Sequence, residues 1–355
     1  MDFRIGSTNL DPEHPIEDFE SMVWTERFNA FGDFELTMKK SKKNLARYAP
    51  GDFIFNDGPT VMMLETRDTT EPNLIKYTGR SLEAFLKFRG NLSPGSQGER
   101  LTGTYKQLMR YFVNRYCIDA TTAGVNKLPN LYLPTEDTSG TINQDIEVRR
   151  GTIYDIVKSL ADAGGLGFAI ERRAQSNGAY LLAFTTKSGA NTSYNPDDSF
   201  YTEASEANGK LLNVKELESS ANYKNHAYIV GAKEVHNYYP PGIPSTISGW
   251  AKRTLLVNAT DIDTGTPSLD WSLLRLRGIE ALAEYNNRYI RMVDAEVPPP
   301  TLGNLRTSTG YIVGQTVLIR KRDGGRTPML VTEVVHSQDS EGYRSTPTFV
   351  DPSNL

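Results

Sequence analysis

At 355 residues the chain exceeds the size at which a single hydrophobic core stops growing, and at about 100 to 200 residues per domain it is expected to hold two to four domains. With 38% apolar, 10% aromatic and 23% charged residues the composition is one that folds, while a net charge of −4 gives no electrostatic reason to wrap nucleic acid, which takes clustered positive charge to displace counterions, and so disfavours tight DNA binding; a wall lining a DNA channel without gripping it stays compatible. Cys117 is the only cysteine, which excludes an internal disulfide or a cysteine-based zinc site, and the lack of a signal-peptide core or of a run of about 18 apolar residues leads us to expect a soluble chain assembled in the cytoplasm, without membrane insertion.

From Met1 to Gly79 the pattern predicts short strands separated by turns. It is clearest where Phe34, Leu36 and Met38 alternate with Glu35, Thr37 and Lys39, a period of two that gives a sheet one buried face. Further strands are expected at Phe53 to Phe55, Val61 to Thr66 and Leu74 to Thr78, with Asp57-Gly58-Pro59 as a turn. Ser81 is placed to cap a short helix through Leu82, Phe85 and Leu86, and Gly90 to Gly98 reads as an exposed loop. Tyr105, Leu108, Phe112 and Tyr116 then share one face of a longer helix, and Ala120 to Asn143 loses periodicity apart from one short strand.

Thr152-Ile153-Tyr154-Asp155 is a variant capping box that starts a helix with Ile153, Ile156, Val157 and Leu160 on its buried stripe and Gly164-Gly165 as its stop. Phe168 to Arg172 and Tyr180 to Thr185 read as a hairpin, followed by a polar stretch from Lys187 to Gly209. Strand patterns return at Leu211 to Leu217, Ala227 to Val235 and Trp250 to Val257, with a proline-rich loop at Tyr239 to Pro244. A helix is expected from Trp271 to Tyr285 with Leu274, Gly278, Leu282 and Tyr285 on one stripe; Val297-Pro298-Pro299-Pro300 is a stiff connector. Two last strands, Gln315 to Lys321 and Met329 to His336, turn at Asp323-Gly324-Gly325.

Catalytic motifs are missing. The four histidines, His14, His226, His236 and His336, do not form a helical metal-binding pair. Gly164-Gly165-Leu166-Gly167 follows a helix and precedes a strand, the reverse of the order in a phosphate-binding loop. There is no GxxxxGK[ST] and no GxSxG. Glu35 and Glu333 fall in strands and read as ion-paired or exposed faces rather than as a glycosidase pair.

The segment Val23-Trp24-Thr25-Glu26-Arg27-Phe28-Asn29-Ala30-Phe31-Gly32-Asp33-Phe34-Glu35-Leu36 resembles the N-terminal signature of the siphophage baseplate hub and tail-associated tail-tip family. Thr78-Gly79-Arg80-Ser81-Leu82-Glu83-Ala84-Phe85-Leu86 resembles that family's strand-to-helix junction. Looser matches are Ile153 to Phe168, Asn222 to Gly231 and Tyr311 to Val317, although members often carry Gly-Asp where this chain has Gly314-Gln315. The structural signature residues are thus Trp24, Glu26, Arg27, Gly32, Asp33, Phe34, Gly79, Arg80, Ser81 and Leu82.

The resemblance implies a β-rich α+β fold with two tube-type β-barrel domains, at 1–89 and 208–355, around a peripheral α+β domain at 90–207, with a helical insertion near 268–287. It implies a structural, non-enzymatic homotrimer without cofactor in the virion tail tip, joining a sixfold tube to a threefold tip and closing or lining the channel for DNA in transit. Its implied neighbours are the distal tail ring protein, the C-terminal end of the tape measure protein and other tail-tip or receptor-binding proteins. The competing expectations are a tail-associated cell-wall hydrolase and a receptor- or carbohydrate-binding module, the latter resting on Tyr238-Tyr239, Trp250 and Trp271.

Overall fold

The computed structural model describes residues 2–6, 10–91, 99–119, 127–139, 144–148, 150–189, 203–204, 206, 211–263, 265, 267–283, 285, 290–296, 311–320 and 324–351. The first unit is built from β1 (Arg4–Gly6), β2 (Pro12–Pro15), β3 (Phe19–Arg27), β4 (Asp33–Lys39), the short helix α1 (Lys42–Arg47), β5 (Phe53–Phe55), β6 (Val61–Asp68) and β7 (Leu74–Ser81). All ladders are antiparallel, in the order β3-β4-β7-β6-β5-β1-β2. The period-two reading of β4 holds, since Phe34, Leu36 and Met38 are buried and alternate with more exposed neighbours. Phe3, beside β1, lies 5.6 Å from the Trp24 ring in β3 although the two strands are far apart in the ladder order. The sheet therefore curls around one core, while no ladder among the described residues joins β2 to β3 and closes it.

A 3-10 helix, Leu82–Phe88, leads into the second unit, which holds β8 (Glu99–Gly103), α2 (Tyr105–Val113), β9 (Leu131–Tyr132), β10 (Gln144–Val148), α3 (Ile153–Gly164), β11 (Gly167–Ala174) and β12 (Tyr180–Lys187). Helix α2 starts at a full capping box, Thr104 with Gln107, and runs into a π-helical turn, Asn114–Ile118, that keeps Tyr116 on the buried side. At α3 the Thr152 hydroxyl accepts the Asp155 N–H at 3.1 Å and donates to its carboxylate at 2.6 Å. The helix stops at Gly165, whose φ of 60° suits glycine. The expected hairpin is β11 against β12, and β9 adds to it in parallel. Gly90 bridges to Thr152 and Asn91 is buried, so the start of the expected exposed loop is anchored; its remainder, 92–98, lies outside the described residues. So do 120–126 and 140–143 of the aperiodic stretch and most of the polar stretch after Lys187.

The third unit begins with β13 (Glu203–Ala204) and β14 (Leu212–Ser219). An excursion follows, made of β15 (His226–Gly231), β16 (Val235–Tyr238), β17 (Thr254–Ala259) and α4 (Pro267–Ala283). The unit then resumes with β18 (Ile290–Glu296), β19 (Thr316–Arg320), β20 (Arg326–Asp339) and β21 (Gly342–Val350). Because β14 pairs with β18, everything between them is an insertion, and the expected helix in it comes with three strands of its own. Two readings are corrected here. Ala227 to Val235 is not one strand but most of β15, a turn and the first residue of β16, because Gly231 to Glu234 reverses the chain. Trp250 belongs to a 3-10 turn rather than to the strand, which starts at Thr254. Helix α4 lays Leu274, Gly278 and Leu282 on β15, and a Cβ at Gly278 would sit 2.3 Å from the Ile229 side chain, so glycine sets the approach. Tyr285 falls beyond the helix.

Strand β20 joins the halves of the molecule. Its residues Arg326 to Leu330 pair with β19, whereas Glu333 to Asp339 pair with β3 of the first unit, and the register shifts at Thr332 between them. Thirteen strands among the described residues are thus linked by ladders, running β14-β18-β21-β20-β3 and onward through the first unit. Two cores lie on this framework, one under Trp24 and one under Phe349, and the α+β core packs beside them. The connector at 297–300 and Asp323 of the expected turn lie outside the described residues, while Gly324 takes a left-handed φ of 84° just before β20.

Candidate functional site

The ten signature residues converge on the β3–β4 hairpin and the end of β7. Trp24 is fully buried, 6.2 Å from the Phe34 ring and nearly parallel to it, and its indole N–H donates to Glu26 Oε1 at 3.0 Å. Asn56 donates to the same oxygen at 3.1 Å. A buried indole needs an acceptor, and Glu26 supplies it two residues along the same strand face.

Arg27 faces Glu333 across the β3–β20 ladder and donates to it through Nε at 2.6 Å, while Nη1 donates to the Phe31 carbonyl at 3.0 Å and to Asp33. Burial opposes its charge, yet the two carboxylates outweigh that and raise its pKa. The three side chains are about one-third to one-half exposed, so solvent screening limits what the cluster contributes. Arg27→Gln is expected to lower stability by roughly 1 kcal/mol, read as a small shift of the urea midpoint that fades in high salt.

Gly32 and Ser81 close the hairpin reciprocally. The Gly32 N–H donates to the Ser81 hydroxyl at 2.7 Å, and the Ser81 N–H donates to the Gly32 carbonyl at 2.9 Å. This corrects the expected helix cap: the Ser81 hydroxyl makes no capping bond to the following turn and instead accepts the Gly32 N–H. Gly79 lies where β6 bulges, and Arg80 forms a two-pronged pair with Glu65 at 2.6 and 2.7 Å. Its guanidinium sits 5.5 Å from the Phe31 ring, and Leu82 enters the α+β core.

What the signature list left out is the loop it encloses. Phe28 is buried in the third unit's core; its N–H donates to the Thr332 carbonyl at 2.8 Å and its carbonyl accepts the Phe168 N–H at 3.0 Å. Asn29 donates to Asp162 in α3 at 2.7 Å. The Phe31 ring lies 5.3 Å from Tyr154, with the Lys87 ammonium 4.5 Å from it. Three residues of one first-unit hairpin loop, Phe28, Asn29 and Phe31, thereby reach both other units. Two aromatic residues in an apparent turn were the available sequence signal.

Glu83 is the other residue that the pattern hid. Its carboxylate is buried, one oxygen accepts the Ile170 N–H at 2.5 Å, and the other has no hydrogen-bond partner among the described residues. Burial raises its pKa, against the opposing effects of Ser81, the backbone N–H groups and Lys187. The native state thus holds this proton more tightly than the unfolded chain does. Stability is full below the ordinary carboxylic range and falls as pH rises through the raised value. Glu83→Gln keeps an acceptor for Ile170 and should raise the urea midpoint at pH 8 while leaving it unchanged at pH 4; midpoints shifted equally at both would remove the titrating role.

Most of the remaining candidates sit in local pairs. Glu35 pairs with Lys76 at 2.8 Å, and Glu333 is held by Arg27. His226 is buried between Thr254 and Asn237 at 3.0 and 2.8 Å, and burial lowers its pKa. His236 lies beside Glu234, His336 bonds to the Tyr343 hydroxyl at 2.6 Å, and His14 is exposed in β2. Burial pushes the Cys117 thiol up to about 12, which makes it inert near neutral pH. Among the described residues no group of three or more His, Cys, Asp or Glu side chains is placed to hold a metal, and no helix is long and apolar enough to cross a membrane.

Comparison with known proteins gives this arrangement a context. No curated protein matches the sequence. Among solved structures, the tail protein from Neisseria meningitidis MC58 is similar with a TM-score of 0.56 at 11% identity, covering 99% of both chains. The 43 kDa tail protein of prophage MuSo2 from Shewanella oneidensis is similar with a TM-score of 0.54 at 13% identity, covering 100% of both chains. Prophage tail protein gp18 from Listeria monocytogenes EGD-e gives a TM-score of 0.50 at 11% identity, over 99% of this chain and 94% of that one. At such identities the likeness speaks for the fold, a β-rich α+β architecture shared with phage tail proteins. The model of the Siphovirus ReqiPepy6 Gp37-like protein family matches residues 2–349, and the chain belongs to that siphovirus tail protein family.

Proposed function

We propose that this chain is the ring-forming hub of a phage tail tip, three copies of which join a sixfold tail tube to a threefold tip. The observation that supports this reading is the crossing of β20 from one curled sheet to the other at Thr332, beside Phe28. One continuous ladder fixes the two sheet units of a subunit relative to each other, so three subunits present six β units in a rigid ring. In this reading 1–89 and 208–355 act as tube-type barrels completed by assembly, with 90–207 outside them. The signature residues serve as structural pins and the activity is structural, without catalysis or cofactor. Its neighbours are the distal tail ring protein, the end of the tape measure and other tip proteins; the ring closes or lines the channel through which DNA passes, and it assembles in the host cytoplasm before residing at the virion tail tip.

Electron microscopy and mass measurement of the purified chain and of isolated tails test this. A threefold ring with six similar β lobes is the expected result, and a monomer in both preparations would overturn it. A receptor- or carbohydrate-binding role is favoured by one observation, the exposure of Trp250 at 100%, with Leu256 and Tyr228 also exposed, on the inserted unit. Binding of the purified chain to host cells, lost in Trp250→Ala, would favour it.

A further inference from the structure

Between the first sheet and the α+β unit lies a cavity of 240 Å³ that the hub reading does not use. Its walls are apolar: Phe53 from β5, Leu82 and Phe85 from the 3-10 helix, Ile170 and Leu182 from the hairpin. The remaining side is residues 128–131, held at one end by the Leu128 N–H donating to the Cys117 carbonyl at 2.8 Å and at the other by the Asn130 carbonyl accepting the Leu182 N–H at 2.9 Å. Asn130 takes a left-handed φ of 60°, which fixes the course of that wall. Pro129 and Asn130 are exposed, and among the described lining residues the charged one is Arg89, half-buried, whose Nη1 also donates to the Phe88 carbonyl at 3.1 Å.

A preformed apolar cavity of roughly 150 Å³ already stays dry and accepts benzene, so this one is large enough for a longer hydrocarbon. Polar groups confined to the rim select a ligand that is apolar along its length and anionic at one end. We infer that the cavity is a binding site for a single-chain anionic amphiphile, a fatty acid or a lipid with one acyl chain, with the tail among Leu82, Ile170 and Leu182 and the head group at Arg89.

Calorimetric titration of the full chain with hexanoate, octanoate and decanoate, and with decanol, tests this. Expected are one site per chain, an affinity that rises roughly three- to fourfold per added methylene until the cavity is full, and weaker binding of decanol. Arg89→Gln should weaken decanoate about tenfold and leave decanol unchanged. Leu182→Phe, which fills the space, should abolish both. No binding of decanoate to the wild-type chain, equal loss of decanoate and decanol in Arg89→Gln, or an affinity indifferent to chain length would each overturn the assignment. Because Arg89 is half-buried and Leu182 is buried, that variant keeps the test decisive if Leu182→Phe does not fold. None of these outcomes depends on ring assembly.

Discussion

Gly79→Ala is expected to lower the stability of the first unit by about 3 to 5 kcal/mol, near the upper end for a single substitution. Gly79 pairs with Phe34 on one side and Leu64 on the other, next to the bulge in β6. A Cβ there would stand 1.8 Å from the Met63 carbonyl oxygen and 2.6 Å from the Phe34 ring. The ring can turn, but the oxygen belongs to a ladder held on both sides and moves only if the register moves. Trp24 reports the result, because it is fully buried in the same core whereas Trp250 is fully and Trp271 about half exposed, so the blue edge of the emission belongs to this sheet. Urea unfolding followed at that edge should show a midpoint far below that of the wild type. Gly151→Ala is the control, since its Cβ would meet only Ile156 at 4.0 Å. If the two variants unfold alike, close approach at Gly79 is not what fixes the sheet.

The same residues show how far a sequence reading reaches. The face of β4 was legible because alternation at Phe34, Leu36 and Met38 needs one partner surface and no knowledge of which one. The caps of α3 were legible because Thr152, Asp155 and Gly165 act within a few residues of one another. The Ala227 to Val235 stretch was misread because its apolar composition runs through a hairpin turn whose reversal depends on pairing rather than on the local pattern. Ser81 has the composition of a cap, but tertiary structure gives its hydroxyl to Gly32, 49 positions away in sequence. The junction was the least legible part. Phe28 and Thr332 are separated by most of the chain, and nothing at either position announces that a long strand changes partners there. The signature residues Arg27 and Gly32 flank the loop, and Phe28, Asn29 and Phe31 between them make the contacts with the other units.

Phe28→Ala is accordingly expected to cost about 3 to 5 kcal/mol, against roughly 1 kcal/mol for Arg27→Gln. The ring is 1% exposed within the third unit's core, and Gly167 and Gly314 give it room: a Cβ at Gly167 would come within 2.5 Å of the ring and one at Gly314 within 3.4 Å. Removing the ring empties a site walled by three units at once, which cannot collapse without shifting one of them. The loss should therefore appear as lost cooperativity as well as lost stability. Wild-type unfolding should give one transition by Trp24 fluorescence and by far-ultraviolet circular dichroism, whereas Phe28→Ala should separate them as the third unit opens first. Proteolysis under native conditions should then cut the third unit while the first stays intact. Arg27→Gln, which removes a partly exposed ion cluster from the same junction but leaves the ring in place, should keep the transitions coincident. Coincident transitions in Phe28→Ala would mean that the β3–β20 ladder alone couples the two sheets, and the hairpin loop would then be a seal over that ladder rather than the element that holds the units in register.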